Sequence, residues 1–227
     1  MRGEGPPASH RAARVLLGFG AFVAVGWGAG ELWLEIVGSA DLDAVREVAA
    51  SRTETLTQAA RVVTWAGSAF LLVPLALVCC ALLVRAGRRV EALALALSLG
   101  GAMLLSDLVK LLVSRPRPPV EHLQAVTGSS FPSGHATQAS AFWLSLVLVL
   151  RAAGAGRRTV VAAGAIAVVL VAAVAWSRVY LGVHYPADVV AGVLLGSGWA
   201  VFVWLSVRDA PPREVSSARP AAHRQAS

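Results

Sequence analysis

The sequence has few charged residues. Asp, Glu, Lys and Arg make up 15% of its 227 residues, whereas about a quarter is typical of soluble domains. Hydrophobic residues make up 56%, and the mean hydropathy is +0.66. This composition excludes an ordinary soluble domain and predicts an integral membrane protein built from apolar helices.

Cysteine is also scarce. Cys79 and Cys80 are the only two, and they are adjacent within an apolar run. Such a pair is not expected to form a disulfide with itself. We interpret both as small core residues without a redox or metal-binding role.

The basic residues are not gathered on a polar domain, although the net charge is +7. They lie between apolar runs, which is a topology signal and not the footprint of a nucleic-acid-binding protein. We therefore expect the lipid bilayer as a partner and no nucleic acid. Nothing in the sequence bears on the oligomeric state.

Six apolar runs predict six transmembrane helices in one membrane domain over residues 15–207. Polar tails, expected to be disordered, occupy residues 1–14 and 208–227, and residues 41–61 are expected to form a loop with a short surface helix. The first run could also be a signal peptide, but its length and the interruptions at Glu31 and Glu35 favour retention. These two acids could face the bundle interior, although we expect them to mark the membrane interface. The predicted spans are 15–37, 62–84, 90–113, 134–150, 159–176 and 186–207.

The basic residues are unevenly divided between the two sides of the predicted membrane domain. The side that holds both termini receives 13 of the 20 lysines and arginines, so both termini are predicted to be cytoplasmic. Lys110, Arg117 and Arg178 lie on the disfavoured side, close to the membrane and beside His135 and His184. Residues that break a topology rule at a shared depth indicate a functional site.

Three polar clusters fall at span ends on that outer side. Together they supply three cations, two imidazoles, a carboxylate and a helix start, which suits phosphoryl transfer without a metal. Arginine forks and a lysine neutralise phosphate oxygens, while small residues at a helix start let backbone N–H groups approach an anion. No carboxylate cluster of the kind that Mg²⁺ requires accompanies them. The clusters are Lys110 to Arg117-Pro118, Pro132-Ser133-Gly134-His135, and Ser177-Arg178 with His184 and Asp188.

The two histidines can take different roles. His184 and Asp188 are four residues apart at a helix start, so the carboxylate can fix one imidazole tautomer and leave the other nitrogen as a nucleophile. His135 has no acid nearby in sequence and suits a general acid and then a general base. Several of these residues also have a structural alternative. Asp188 could be an acid in the first turn of a helix, favoured by the helix dipole, and Arg178 and Lys110 could be side chains that reach the membrane interface. Their convergence at one depth favours the site.

The three clusters, in this order and spacing, resemble the signature of the type 2 phosphatidic acid phosphatase (PAP2) superfamily. The resemblance implies an all-α, polytopic membrane phosphatase with six transmembrane helices, a helical core like that of the vanadium haloperoxidases and an outward-facing site. It implies that His184 is the nucleophile, Asp188 its partner and His135 the leaving-group acid, with no cofactor or metal. Asp107 lies outside the signature and is expected to pair with Lys110 or to line the pocket. The phosphate binders implied are Lys110, Arg117, Ser133, Gly134 and Arg178.

The function predicted from this resemblance is hydrolysis of a lipid phosphate or lipid pyrophosphate at the outer membrane face. Undecaprenyl pyrophosphate, phosphatidic acid and phosphatidylglycerol phosphate all fit, with the isoprenoid carrier preferred if the source is bacterial. Vanadate-dependent haloperoxidases share the signature but are long soluble proteins. A non-catalytic lipid-phosphate binder or transporter is a further alternative, which would tolerate loss of either histidine.

Overall fold

The computed structural model describes residues 8–208, apart from the side chains of Ala8, Arg11 and Arg208. These residues form seven α-helices and no β-strand, and one turn of 3-10 helix, Thr64–Gly67, joins the second helix to the third. Residues 1–7 and 209–227 of the predicted tails lie outside the described residues. The helices are α1 Ala8–Ala50, α2 Glu54–Val63, α3 Ala69–Arg85, α4 Arg89–Val113, α5 Gly134–Ala152, α6 Arg157–Tyr180 and α7 Pro186–Arg208.

Six helical segments correspond to the six predicted spans. Five of them are long and apolar enough to cross a membrane: α1, the α2–α3 segment, α4, α6 and α7. The sixth, α5, is less apolar because it lies inside the bundle, packed against α3, α4, α6 and α7. Its 19 residues would extend about 28 Å at the rise of an α-helix, close to the thickness of the hydrocarbon core.

Three boundaries differ from the sequence prediction. The tail predicted over residues 1–14 is wrong from Ala8 onward, where α1 already begins, because this alanine-rich stretch favours a helix. A kink at Gly38, whose φ of 44° suits glycine, ends the first span, and the surface helix expected within residues 41–61 is present but longer, since α1 and α2 leave only residues 51–53 outside a helix. The predicted loop 177–185 begins later, because α6 continues to Tyr180 while its last turn packs against α2 and the turn after it.

Two glycines in α7 allow it to pack closely on α5. A Cβ at Gly192 would lie 2.7 Å from the carbonyl oxygen of Ser133, and one at Gly196 would collide with the carbonyl oxygen of Thr137. The Ser133 N–H also donates a 2.9 Å hydrogen bond to the carbonyl oxygen of Asp188. The starts of α5 and α7 are therefore held side by side.

Other polar residues singled out in the sequence lie away from this junction. Glu31 and Glu35 are both exposed on α1, so they do not face the bundle interior. Cys79 and Cys80 in α3 are free and only partly buried, packed against the edge of an apolar cluster.

Candidate active site

Four helix ends meet at one end of the bundle. Helices α4 and α6 end there, and α5 and α7 begin there. This arrangement gathers the predicted residues from all three sequence clusters. Lys110 lies in the last turn of α4, Ser133 to His135 at the start of α5, Arg178 in the last turn of α6, and His184 and Asp188 at the start of α7.

His184 and Asp188 form the expected pair. Nδ1 of His184 lies 3.4 Å from Oδ2 of Asp188, and both side chains are almost completely buried. At 3.4 Å the contact is long, and Nδ1 makes no well-aligned hydrogen bond to any described residue, but the carboxylate still favours a proton on the imidazole. Because Nδ1 faces the carboxylate, Nε2 is the nitrogen left to react.

Burial also sets the protonation state of His184. It lowers the pKa of the imidazole to about 4, while Asp188 acts in the opposite direction and Arg178 and Arg117 reinforce the decrease. A histidine whose pKa is lowered in this way is neutral at neutral pH, and it gains a proton only as the pH falls toward that value. Neutral imidazole is the form that can act as a nucleophile.

Asp188 has a second partner that the sequence analysis missed. Arg115 donates from NH1 to Oδ1 of Asp188 at 2.6 Å and from NH2 to Oδ2 of Asp41 at 2.7 Å. The sequence offered a partial signal for Arg115, which precedes Arg117 by two residues in an Arg-Pro-Arg-Pro segment. It offered none for Asp41, which lies on the surface helix that follows the kink in α1.

Arg178 is a buried cation, with only 2% of its surface exposed. In the described part of the chain its hydrogen-bond acceptors are neutral oxygens, Oγ1 of Thr64 at 2.8 Å and Oε1 of Gln124 at 2.6 Å, and its Nε has no partner. A buried guanidinium held by neutral groups alone strongly favours a nearby anion. Its burial also excludes the interfacial alternative for this residue.

Ser133, Gly134 and Lys110 form a cradle beside Arg178. Ser133 is the N-cap of α5, and its buried hydroxyl has no partner among the described residues. A Cβ added to Gly134 would lie 3.1 Å from Nζ of Lys110, so glycine leaves room for the ammonium at the helix start. The hydroxyl, the ammonium and the positive end of the helix dipole suit an oxyanion.

His135 follows this cradle directly on α5. Arg178, His184 and Lys110 all lie close enough to act on its charge. It therefore stands among the cations and beside the second histidine, where a proton can be exchanged with a group bound in the cradle. No group of three or more His, Cys, Asp or Glu side chains in the described residues is arranged to share a metal ion.

Arg117 is engaged more with backbone than the sequence suggested. It donates to the carbonyl oxygens of Thr127, Gly128, Ser129 and Val183, at 2.7 to 3.3 Å. Burial lowers the pKa of its guanidinium, and Asp188 acts in the opposite direction. Arg117 thus ties the loop after α4 to the turn that carries His184, while its charge reaches the site.

Asp107 does not join the cluster. It is exposed on the outer face of α4, so the expectation that it lines the pocket is wrong. Its charge acts on that of Lys110, one turn further along the helix, so an ion pair between the two stays a prediction.

Comparison with known proteins agrees with the sequence signature. A family profile described as the PAP2 superfamily matches residues 91–212. One curated relative is a decaprenylphosphoryl-5-phosphoribose phosphatase of Mycobacterium tuberculosis strain H37Rv, which is 44% identical over 40% of this chain and 46% of its own length. Another is a putative undecaprenyl-diphosphatase of Escherichia coli K12, which is 34% identical over 45% of this chain and 50% of its own length. The matches to these relatives span about half of their length.

Solved structures extend the similarity to the whole bundle. A transmembrane PAP2 type phosphatidylglycerolphosphate phosphatase from Bacillus subtilis superposes with a TM-score of 0.67 and 25% identity, over 87% of this chain and 94% of that one. LpxE of Aquifex aeolicus shares the fold, with a TM-score of 0.58 and 24% identity. The superposition covers 71% of this chain and 93% of that one. The profile covers more than half of the chain and includes all three polar clusters, and the chain therefore belongs to the PAP2 superfamily.

Proposed function

We propose that the protein hydrolyses a lipid phosphate or lipid pyrophosphate through a phosphohistidine on His184. The observation that carries this proposal is the meeting of two buried groups: the cation Arg178, which has only neutral partners, and the His184–Asp188 pair. An anion site and a nucleophile in contact with a carboxylate are the two requirements for phosphoryl transfer by this route.

The reaction takes two steps. Nε2 of His184 attacks phosphorus, the bond to the leaving oxygen breaks, and His135 gives that oxygen its proton. His135 then takes a proton from water, the hydroxide displaces His184, and inorganic phosphate leaves. The phosphate oxygens are stabilised by Lys110, Arg178, Ser133 and the Gly134 N–H, and Arg117 adds its positive charge. The negative charge of the substrate favours the protonated form of His135, which the first step requires.

Apolar surface next to the site supports a lipid substrate. A crevice of about 280 Å³ between α1, α4 and α7 has only apolar lining residues, among them Gly30, Phe131 and Val190. It adjoins the backbone that leads into Ser133, so a hydrocarbon chain in the crevice would lie close to a headgroup in the cradle. Exposed tryptophans at this end of the bundle, Trp65 and Trp176, are typical of the membrane–water interface.

The names of the relatives favour an isoprenoid substrate. Two of them are named for polyprenyl phosphates or diphosphates, whereas the structural neighbour from Bacillus subtilis is named for phosphatidylglycerolphosphate. We therefore rank undecaprenyl pyrophosphate first, before phosphatidylglycerol phosphate and phosphatidic acid. We further propose that the protein lies in a bacterial cell membrane with both termini in the cytoplasm and the site outside.

Phosphate release from these three lipids by the purified protein in detergent tests the proposal, with His184→Ala prepared identically as the control for contaminating phosphatases. We expect release in excess chelator, because three cations stabilise the phosphate, and inhibition by orthovanadate, which adopts the five-coordinate geometry of the transition state. Failure to release phosphate from any lipid contradicts the proposed activity. Loss on chelation with recovery on adding Mg²⁺ contradicts the metal-independent mechanism.

A further inference from the structure

The carboxylate of Asp188 is fixed from several directions. Oδ2 accepts a 2.9 Å hydrogen bond from the Tyr185 N–H and faces His184, while Oδ1 accepts from Arg115. The guanidinium of Arg115 also lies over the ring of Tyr185, 3.8 Å from its centroid. Arg115 therefore restricts rotation of the carboxylate that faces the histidine.

Arg115 is fixed in its turn by Asp41. One oxygen of Asp41 accepts from Arg115, and the other accepts a 2.9 Å hydrogen bond from the Ala187 N–H in the first turn of α7. Arg115 and Asp41 are 12% and 3% exposed, so solvent screens this bridge only weakly. Asp41 thus holds both the arginine and the helix that carries Asp188.

We propose that Arg115 is a positioning residue: held by Asp41, it fixes the Asp188 carboxylate against Nδ1 of His184 and limits how much of its negative charge reaches the imidazole. The inference rests on the proposed function, because it assigns Arg115 a part in making His184 reactive. Arg115 has no role in the sequence signature, and it acts through Asp188 without touching the phosphate.

The charges around His184 give this role a distinctive pH signature. His184 faces Asp188 from α7, Arg178 from α6, His135 from α5 and Arg117 from the loop. Replacing Arg115 with an uncharged residue leaves the full charge of Asp188 acting on His184, which favours the protonated imidazole. The acidic limb of the pH–rate profile then moves to higher pH, since activity is lost as the pH falls through the pKa of His184.

The opposite change is expected when Asp41 loses its charge. Asp41→Asn retains an oxygen for the Ala187 N–H but removes the second carboxylate from Arg115, whose charge then acts more fully on Asp188. The acidic limb should move to lower pH. Arg115→Lys keeps the charge but cannot bridge both carboxylates with a rigid fork, so its limb should stay near that of the wild type while kcat falls.

The experiment compares pH profiles of nitrophenyl phosphate hydrolysis by the full-length protein and the variants Arg115→Met, Arg115→Lys and Asp41→Asn. Arg46→Met is the matched control. Arg46 lies on the same surface helix as Asp41, and among the described residues its ion pair is an exposed one with Asp43, 3.6 Å away. For Arg115→Met we expect kcat to fall about 10–100-fold, the loss typical when an outer partner of a metal-ligating histidine is removed. KM should stay unchanged, and the acidic limb of the pH–rate profile should move to higher pH by about one unit.

The outcomes separate this inference from the proposed function. A wild-type protein that releases no phosphate from nitrophenyl phosphate or from any lipid refutes the function itself. If the wild type is active but Arg115→Met and Asp41→Asn lose activity equally at every pH, or match Arg46→Met, the role of Arg115 is refuted. If Arg115→Met does not fold, the other two variants decide the question alone: the acidic limb of Asp41→Asn should move to lower pH, while Arg115→Lys should lose kcat without a shift of its limb.

Discussion

The two histidines of the site differ in the groups around them. His184 is buried in a turn against the carboxylate of Asp188, which suits a nucleophile that becomes positively charged on phosphorylation. His135 lies at the start of α5, and the charges that act on it come from the cations and from His184. Different surroundings imply different chemical losses when each is removed.

We predict that His184→Ala is inactive on every substrate, since no leaving group replaces a nucleophile. His135→Ala should lose about 10²–10⁴-fold on a lipid phosphate, whose alkoxide needs a proton. It should lose far less in the first step on nitrophenyl phosphate, because nitrophenolate departs as an anion. Stopped-flow absorbance should record a burst of nitrophenolate and then slow turnover, with phosphate trapped on His184.

Equal losses by His135→Ala on both substrates, with neither burst nor trapped phosphoenzyme, would show that the two roles are misassigned. Acid-quenched protein digested for mass spectrometry identifies the phosphorylated residue directly. The double variant, His135→Ala with His184→Ala, is the control and should trap no phosphate.

The sequence predicted the residues of the site better than their partners. Residues that stand at a span end, within a short motif, could be identified from the sequence. They are Lys110, Ser133, Gly134, His135, Arg178, His184 and Asp188. Arg115 and Asp41 could not, because their bridge joins residues 74 positions apart, and this pairing depends on how α1 bends at Gly38. Thr64 and Gln124 were missed for the same reason, since each meets Arg178 only through the packing of distant segments.

At the scale of helices, the site depends on how closely α5 and α7 approach. Gly192 and Gly196 replace side chains with direct backbone contact along this junction. The cradle residues are carried by α5 and Asp188 by α7, so a change in their separation moves one part of the site relative to the other. Hydropathy predicted both helices, but the spacing between them follows from small residues on one face of α7.

We predict that Gly196→Ala lowers both thermal stability and activity. The new methyl group would collide with the carbonyl oxygen of Thr137 and the hydroxyl of Ser140, and overpacking of this kind typically costs about 1–3 kcal/mol. Thermal unfolding in detergent, followed by circular dichroism, measures the first effect, and hydrolysis of nitrophenyl phosphate measures the second.

Gly164→Ala in α6 is the matched control, because a Cβ there meets no atom within 4 Å and alanine is the better helix former. It should match or exceed the wild-type stability. If the two alanine variants unfold at the same temperature and are equally active, the close contact between α5 and α7 does not determine the site.

For the whole molecule, the distribution of charge predicts which end of the bundle faces outward. The end opposite the site carries Arg85, Arg88 and Arg89 between α3 and α4, and Arg151, Arg157 and Arg158 between α5 and α6. Short loops rich in arginine stay in the cytoplasm. The site end would then face the outside, with the access to extracytoplasmic lipids that the proposed substrates require.

Labelling of intact cells with an impermeant thiol reagent tests this orientation, in a protein whose Cys79 and Cys80 are replaced. Cysteine introduced at the exposed Glu121, in the loop that follows α4, should react. Cysteine at the equally exposed Ala86, at the other end of the bundle, should react only after the cells are permeabilised. The reverse pattern would overturn both the topology and the choice of substrates.

The interior position of α5 has a consequence for how the protein is made. This helix is less apolar than the other spans, and its polar residues, such as Thr137 and Ser140, are buried close to glycines of α7. During synthesis α5 leaves the ribosome before α7 exists. We therefore expect stable integration of α5 into the bilayer to depend on a later part of the chain, so that a nascent chain that stops before α7 should leave α5 exposed to membrane quality control.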